Sequence, residues 1–523
     1  MEQNPENYAR KGWMAAAALI GVLAVVSLIP PQTVGGVKLR RANILSDLVV
    51  FDDAPAHTDE SAVFNEEEFQ VDMAQVARCI EADTLPPGVQ TLFEWVIGRD
   101  TACRRPVVPD TLQPARRVVP IEEYDTLRSD GMRAFYDAVL SARRPVRIAV
   151  LGDSFIEGDI LTADLRERLQ ETYGGGGTGF APMASPLAYF RRTVKTASKG
   201  WTAYNIMQRK KTPEALREKF YVSGWVCQPG PGASTRWEAT SYRRCLDACT
   251  CGRIFFLSPN DSRIEVTVND TLRQEFAVEG DPAIRQVAVT APRIGSLGFR
   301  VASGCEGFIG YGAVMESDGI SVDNYSVRSN NGQAMFWTDP SVDAQIDAML
   351  DYDLVILQYG LNIMQKGVYN YTNYAAKIEK MIAFVRECFP GAAVLVMGVS
   401  DRSVRSDNDF EPMDAVPHMA AYQRLAARRA QAAFWPTHEA MRALGGMERF
   451  VRSGWAGKDY THINYAGGTR IAHALFDALN SRIRTARLTQ RHPDGAPVMD
   501  SLQRERIRRQ LLCRPQPINP PKP

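Results

Sequence analysis

The chain has 523 residues, of which 45% are hydrophobic and 23% charged, so it can bury a sizeable core and is not disordered throughout. Its 61 Lys and Arg residues nearly balance its 60 Asp and Glu residues, which leaves a net charge of +1. That balance provides no evidence for the basic face that nucleic-acid binding requires, so no nucleic-acid partner is expected.

The first element is an uncharged apolar run, Gly12–Ile29, which follows Arg10 and Lys11 and ends at Pro30. Its length is near the lower limit for crossing a bilayer, and the basic flank suits either a signal peptide or a signal anchor. No small-x-small cleavage motif directly follows the run, which favours an uncleaved anchor. We therefore expect a single-pass protein of the bacterial inner membrane, with the bulk of the chain in the periplasm or exported.

Nine cysteines are consistent with an exported protein. Five of them are clustered in one stretch of the chain: Cys227, Cys245, Cys249, Cys251 and Cys305. Cys79 and Cys103 form a second candidate pair. Disulfides are expected, with their connectivity left open. A zinc site would need four ligands, and no His lies near the cluster, so neither a metal nor a cofactor is expected.

After a tether and a small helical region over residues 32–140, short β-branched runs begin to alternate with helical patterns. The predicted strands are 146–151, 354–357 and 393–397, and the predicted helices are 160–172, 371–388, 418–432 and 465–484. This alternation predicts an α/β fold whose parallel sheet is covered on both faces. In such sheets, ligands bind at the carboxyl ends of the strands.

The stretch 215–318 interrupts that alternation. It contains short strand-like runs separated by turn residues, at 253–257, 263–268, 273–278, 286–289 and 298–301. Regular short strands of this kind predict an inserted β-sandwich. The tail after residue 488 is polar and proline-rich. The predicted domains are a membrane anchor or signal (1–31), the tether and helical region (32–140), the two parts of the α/β domain (141–214 and 319–487), the insertion (215–318) and the tail (488–523).

Three short motifs carry the candidate chemistry. Gly152-Asp153-Ser154 follows a buried strand, where a serine hydroxyl would emerge at the edge of the sheet before the next helix. Asp459 precedes His462 by three residues, a spacing that lets a carboxylate orient an imidazole. Asn362 follows the strand at 354 and could supply an amide donor to an oxyanion. A structural interpretation of Ser154 as a helix N-cap is open for the single motif, but the joint order favours a serine hydrolase.

These motifs resemble those of a known family. The segment Gly152–Asp159 resembles the first block of the GDSL/SGNH hydrolases, Gly332 the second, Asn362 the third, and Asp459 with His462 the fifth. The resemblance implies a flavodoxin-like three-layer α/β/α fold. It also implies a catalytic triad of Ser154, Asp459 and His462, with an oxyanion hole formed by the backbone N–H groups of Ser154 and Gly332 and the Asn362 side chain.

A longer pattern, GDSxxxGDxxTxxLRxxL followed by Gly179–Pro182, is similar to peptidoglycan O-acetylesterases, which carry a carbohydrate-binding-like β-sandwich inserted in the hydrolase fold. The implied function is a serine esterase that removes O-acetyl groups from a cell-envelope polysaccharide through an acyl-enzyme. Two departures, Phe155 for a polar residue and Ile363 for an acidic one, leave the substrate open. The alternatives are an O-acetyltransferase, whose partner would be a membrane acyltransferase, and a catalytically silent carbohydrate-binding scaffold.

Two further patterns have structural interpretations. The glycine-rich run Gly174–Gly179 lacks the Lys-Ser/Thr of a phosphate loop and is predicted to be a loop that ends a helix. Trp201, Trp225 and Trp237 could stack on sugars, but packing in the core of the insertion is the favoured interpretation.

Overall fold

The computed structural model describes residues 69–85, 87–98, 118–406 and 409–489, together with a few short pieces ahead of residue 69. The chain divides into two units. The first comprises Met1–Ala56 and Arg405–Asp409, and in it the strands Thr33–Val34 and Val37–Lys38 pair antiparallel. The second comprises His57–Val404 and Phe410–Pro523, and it contains both large sheets and the candidate site.

The predicted membrane anchor lies almost entirely outside the described residues. Of the run Gly12–Ile29, only residues 13, 14, 18 and 22 are described. No helix within the described part of the chain is long and apolar enough to span a bilayer.

A five-stranded parallel sheet forms the centre of the second unit. Its strands, in spatial order, are Ile320–Ser326, Val146–Gly152, Leu354–Gln358, Ala393–Met397 and Ala433–Trp435. Numbered along the chain, this order is 2-1-3-4-5, which is the flavodoxin-like arrangement. Every residue of the three inner strands is buried, as expected for a parallel sheet covered on both faces.

Six helices pack in two groups, and both groups contact the strand Ala393–Met397. One group consists of Met132–Ser141, Thr162–Tyr173 and Tyr465–Leu488, and the other of Pro340–Leu350, Thr372–Cys388 and Ala415–Arg429. The remaining helices are Met73–Asp83, Pro87–Gln90, Glu214–Arg217, Thr437–Ala443 and Gly446–Arg452. Short 3₁₀ segments occupy Glu157–Asp159, Ala188–Phe190, Ile206–Lys211 and Gln333–Trp337.

A second sheet contains ten strands, and we call it the curled sheet. Its main path runs, in spatial order, through Leu272–Val278, Ser262–Val268, Ser296–Ser303, Trp225–Ala239, Ile309–Ser317, Cys251–Ser258, Asp281–Thr290 and Thr91–Val96. Gly176–Pro182 pairs with Ile309–Ser317, and Val194–Asn205 pairs with Trp225–Ala239. Two further short strands of the chain are Ser403–Ser406 and Asp409–Pro412.

The curled sheet encloses a core of its own. Val266 and Val287, on strands far apart in the sheet order, belong to the same buried cluster, so the sheet must bend round on itself. The five strand-like runs predicted within 215–318 all lie in its strands. A sandwich would have a gap between two separate sheets. Here Gly310 pairs with Cys227 and joins the strands into one continuous sheet, so the predicted sandwich is not confirmed. The sheet also extends beyond the predicted insertion, to Gly176–Pro182, Val194–Asn205 and Thr91–Val96.

The glycine-rich run differs from its prediction. Gly174 does end the helix Thr162–Tyr173, but the next residues form the strand Gly176–Pro182 and not a loop. Gly177 and Gly179 have φ of 108° and 68°, and a Cβ on either would collide with the backbone carbonyl of Met315 or Val322. The glycines therefore allow this strand to lie directly against a strand of each sheet.

The described cysteines form no disulfide, and the three candidate sugar-stacking tryptophans are buried or half-buried. All seven described cysteines are free, so the expected disulfides are wrong for this part of the chain, and Cys103 lies outside the described residues. Trp237 is fully buried in the core of the curled sheet, Trp225 is buried, and Trp201 packs against that core. The favoured interpretation, packing in the core, is confirmed for Trp237 and Trp201, whereas Trp225 lines a cavity near the Ser154 loop.

Candidate active site

Ser154, His462 and Asp459 form a continuous hydrogen-bonded chain. Ser154 Oγ lies 3.3 Å from His462 Nε2, and His462 Nδ1 lies 2.6 Å from Asp459 Oδ2. A neutral imidazole that donates Nδ1–H to the carboxylate leaves Nε2 free to accept the serine proton. The longer serine–histidine contact is usual for a site without substrate. Residues 308 positions apart in the chain thus meet in the geometry of a nucleophile, a base and an orienting acid.

The histidine is held by a tight loop ahead of the last helix. The backbone N–H groups of Thr461 and His462 both donate to Asp459 Oδ1 at 3.1 Å, so one carboxylate fixes both the loop and the ring. Burial disfavours the charged Asp459, but the hydrogen bonds from His462 and Thr461 outweigh it and lower the pKa of this carboxyl. Asn464 then caps the helix Tyr465–Leu488 through the N–H groups of its first turn.

The serine lies on a turn that follows the central strand Val146–Gly152. Asp153 Oδ1 accepts a hydrogen bond from the Phe155 N–H at 2.9 Å, which closes the turn around Ser154. The 3₁₀ turn Glu157–Asp159 comes next, and the helix begins only at Thr162. The predicted helix 160–172 is therefore confirmed to within two residues, and the segment between Ser154 and that helix makes side-chain contacts with the curled sheet.

Those contacts centre on Asp159, which is fully buried. Its Oδ2 accepts from Arg166 Nη1 at 3.1 Å and from Arg191 Nε at 2.9 Å. Burial alone would raise the pKa of the Asp159 carboxyl, but the two guanidiniums outweigh it and hold the pKa well below its usual range. Arg191 also donates to the backbone carbonyls of Thr178 and Phe180. The loop that carries Ser154 is therefore tied to the glycine-rich strand through buried ion pairs.

Asn362 and the loop before Gly332 converge on one buried residue, Asn330. The Asn362 Nδ2 group donates to the Asn330 carbonyl at 2.9 Å and to Asp153 Oδ2 at 3.1 Å. The Gly332 N–H donates to Asn330 Oδ1 at 2.9 Å, and the Ala334 N–H donates to the same atom at 3.2 Å. The Asn362 side chain and the Gly332 loop are thus brought together next to Asp153, the neighbour of Ser154.

Asp153 is fully buried. Burial raises the pKa of its carboxyl to about 7, although the Phe155 N–H and the charge of His462 act in the opposite direction. No cluster of three or more His, Cys, Asp or Glu side chains that could hold a metal ion is found among the described residues.

Solved structures share this architecture. The chain resembles a structure of a peptidoglycan O-acetylesterase with a TM-score of 0.57 and 21% sequence identity, over 70% of this chain and 99% of the other. The chain therefore shares the fold of that esterase. A GDSL-like lipase from Parabacteroides merdae (TM-score 0.24, 14% identity, 31% of this chain and 73% of that one) and a family two carbohydrate esterase from Cellvibrio japonicus (TM-score 0.19, 8% identity, 46% and 86%) are less similar. No family model and no curated protein sequence matches the chain.

Two of the three predicted oxyanion donors are engaged with protein groups. The Gly332 N–H donates to Asn330, and the Asn362 amide donates to Asn330 and Asp153. No protein acceptor is described for the Ser154 N–H. The assignment of Ser154, Gly332 and Asn362 to an oxyanion hole stays a prediction.

Sequence analysis overlooked Asn330 and the second role of Asp153. Asn330 lies two residues before Gly332, a spacing at which an Asn side chain accepts from the backbone and forms an Asx turn. That spacing is visible in the sequence and could have identified Asn330 as the residue that closes the turn. The bridge from Asp153 to Asn362 had no such signal, because the two residues are 209 positions apart and come together only through strand pairing.

Proposed function

We propose that this protein is a serine esterase that removes O-acetyl groups from a cell-envelope polysaccharide. The observation that carries the proposal is the chain of contacts from Ser154 through His462 to Asp459, on a fold shared with an O-acetylesterase. Peptidoglycan or a similar glycan is the proposed substrate. In this proposal the segment Gly12–Ile29 anchors the protein in the inner membrane, and the catalytic part lies in the periplasm.

The reaction proceeds in two halves. Ser154 Oγ attacks the acetyl carbonyl while His462 Nε2 takes its proton, and Asp459 stabilises the imidazolium that forms. The C–O bond to the sugar then breaks, His462 returns the proton to the sugar oxygen, and acetyl-Ser154 remains. A water molecule, activated by His462, hydrolyses this ester and releases acetate.

The test compares the purified protein with its Ser154→Ala variant. We expect the wild type to turn over 4-nitrophenyl acetate and to release acetate from O-acetylated peptidoglycan, and the variant to lose several orders of magnitude in rate on both. Because Ser154 is only partly buried, the variant should fold normally. An equal rate for the two proteins would refute the proposal.

The same assay distinguishes the alternatives. With an acetyl donor and a chitooligosaccharide present, free acetate supports the esterase, and acetylated sugar detected by mass spectrometry supports the transferase. If neither product forms, the non-catalytic carbohydrate-binding scaffold is the alternative that remains.

A further inference from the structure

Two aromatic side chains beside the nucleophile loop are exposed to solvent. Tyr189 is 76% exposed and Phe190 is 41% exposed, and their ring centroids are 4.3 Å apart. Both lie on the 3₁₀ turn Ala188–Phe190, which follows the glycine-rich strand. Adjacent large apolar side chains kept in water suggest a binding role, since the fold gains nothing from leaving them uncovered.

The pair is fixed to the catalytic loop by one hydroxyl. The Tyr465 O–H donates to the Gly158 carbonyl at 3.0 Å and also contacts the Phe190 carbonyl. Gly158 has φ of 62°, and a Cβ on it would lie 3.2 Å from the Phe190 carbonyl, so the two segments touch through their backbones. Glu157, the residue before, donates its N–H to the Ser154 carbonyl at 3.3 Å. The aromatic pair is therefore held against the loop that carries Ser154, through contacts of Gly158 and Glu157.

A small cavity adjoins the pair. It has a volume of about 80 Å³, and Leu187 and Ala188 from the same turn form one wall. Glu157, Ser185 and Asn324 are among its other lining residues. A cavity of this volume has room for a small substituent of a sugar ring.

Charged groups lie on the segments next to the pair. Arg328 Nε donates to Glu157 Oε1 at 3.1 Å, and the Arg192 guanidinium lies 4.0 Å from the centroid of the Tyr465 ring. A lipid surface or an apolar protein patch would have to desolvate these charges. A sugar offers one apolar C–H face for an aromatic ring and hydroxyls for the charged rim.

We propose that Tyr189 and Phe190 form a stacking platform for a pyranose ring of the acetylated glycan, with a substituent of that sugar in the adjacent cavity. This inference rests on the proposed esterase function and names the surface that recognises its substrate. The platform holds the polymer and takes no part in the chemistry at Ser154. Its removal should therefore weaken polymer binding and leave the turnover of a small ester unchanged.

The experiment uses the full chain and the double variant Tyr189→Ala/Phe190→Ala. The small substrate is triacetin, which has no aromatic group that could itself stack on the platform. We expect acetate release from triacetin to stay within about twofold of wild type, and the KM for O-acetylated peptidoglycan to rise by about tenfold or more. Tyr189→Phe keeps the ring and should behave as wild type. Leu272→Ala, which removes an exposed side chain at the hairpin end of a curled-sheet strand, is the matched control and should also have no effect.

Binding is measured separately with the Ser154→Ala protein. Chitohexaose should bind to it, and the added double substitution should abolish that binding. An unchanged KM for the polymer together with unchanged chitohexaose binding would overturn the platform. If wild type releases no acetate from either ester, the esterase proposal fails, while the chitohexaose measurement still decides the platform. If the double variant lost binding to phosphatidylethanolamine–phosphatidylglycerol vesicles while its KM for the polymer stayed unchanged, the sugar platform would be overturned in favour of a lipid contact.

Discussion

The buried Asp153 carboxylate accepts a hydrogen bond from the Asn362 amide at 3.1 Å, directly beside the catalytic serine. One of its oxygens closes the turn around Ser154 and the other holds the side chain predicted to donate to the oxyanion. The Asp153 carboxyl thus organises both the Ser154 turn and the Asn362 side chain, although its burial makes ionisation costly.

This cost should appear in the pH dependence of stability. Burial raises the pKa of Asp153 to about 7, above its ordinary value, so the folded state binds the proton more tightly than the unfolded state. The contribution of Asp153 is therefore full below about pH 4 and is lost progressively as the pH rises from there through 7. Between these limits, wild type should lose stability relative to Asp153→Asn by an amount on the order of a few kcal/mol.

Urea unfolding of both proteins at intervals from pH 4 to pH 8 measures this difference and cancels the titrations that they share. A constant difference in the free energy of unfolding across that range would show that Asp153 titrates normally.

Asp459→Asn should reduce kcat with little change in KM. The asparagine oxygen still accepts from the loop N–H groups, but its amide presents a donor to His462 Nδ1 and favours the wrong ring tautomer. The analogous change in serine proteases costs on the order of 10⁴ in kcat. Steady-state kinetics on 4-nitrophenyl acetate provide the measurement. Thr461→Ala, which removes only a hydroxyl contact to the Asp459 carbonyl, should cost no more than a few-fold.

Asn330→Ala should reduce both stability and activity. It removes the acceptor of the Gly332 and Ala334 N–H groups, and each buried donor left unpaired costs about 1–3 kcal/mol. Thermal unfolding and kcat would be measured together. The control is Asn331→Ala, since the Asn331 side chain accepts only from the Gln333 N–H at a half-buried position. Equal effects of the two substitutions would refute the central role of Asn330.

Arg191→Met should destabilise the fold by about 3–5 kcal/mol, because it leaves a buried charge at Asp159 only partly compensated. Arg293→Met is the matched control. Its ion pair with Asp247 is largely exposed, so its loss should cost about 0–1 kcal/mol. Chemical denaturation of the two variants gives both numbers, and a loss at Arg191 as small as that at Arg293 would contradict the prediction.

Within the parallel sheet, the three strands that sequence analysis found are made mainly of apolar residues. Leu354–Gln358 and Ala393–Met397 are buried throughout, and their composition alone indicates a parallel sheet. Ile320–Ser326 lies in the same sheet but contains Asp323, and was not predicted as a strand. That carboxylate accepts from Arg147 at 2.8 Å and from the Phe180 N–H at 2.7 Å. Because these hydrogen-bond partners are distant in the chain, the composition around Asp323 does not show that its charge is paired inside a buried strand.

The same distinction applies to the site. Ser154, Asp459 and His462 were found because each belongs to a short motif whose residue spacing is tied to its chemistry. The aromatic pair at Tyr189 and Phe190 has no motif. Its exposure depends on how the turn that carries it packs against Gly158, which only the folded chain determines.

The strand Gly176–Pro182 has a consequence for engineering. It is hydrogen-bonded into the curled sheet and packs on the parallel sheet, and the chain passes from Ile309–Ser317 to Ile320–Ser326 across Gly319. No flexible linker separates the two sheets there, so they should melt in a single cooperative transition and exchange their amide protons as one body. A graft meant to alter substrate preference should therefore be spliced at a hairpin tip such as Asn269–Asp270, where the chain reverses without crossing between the sheets.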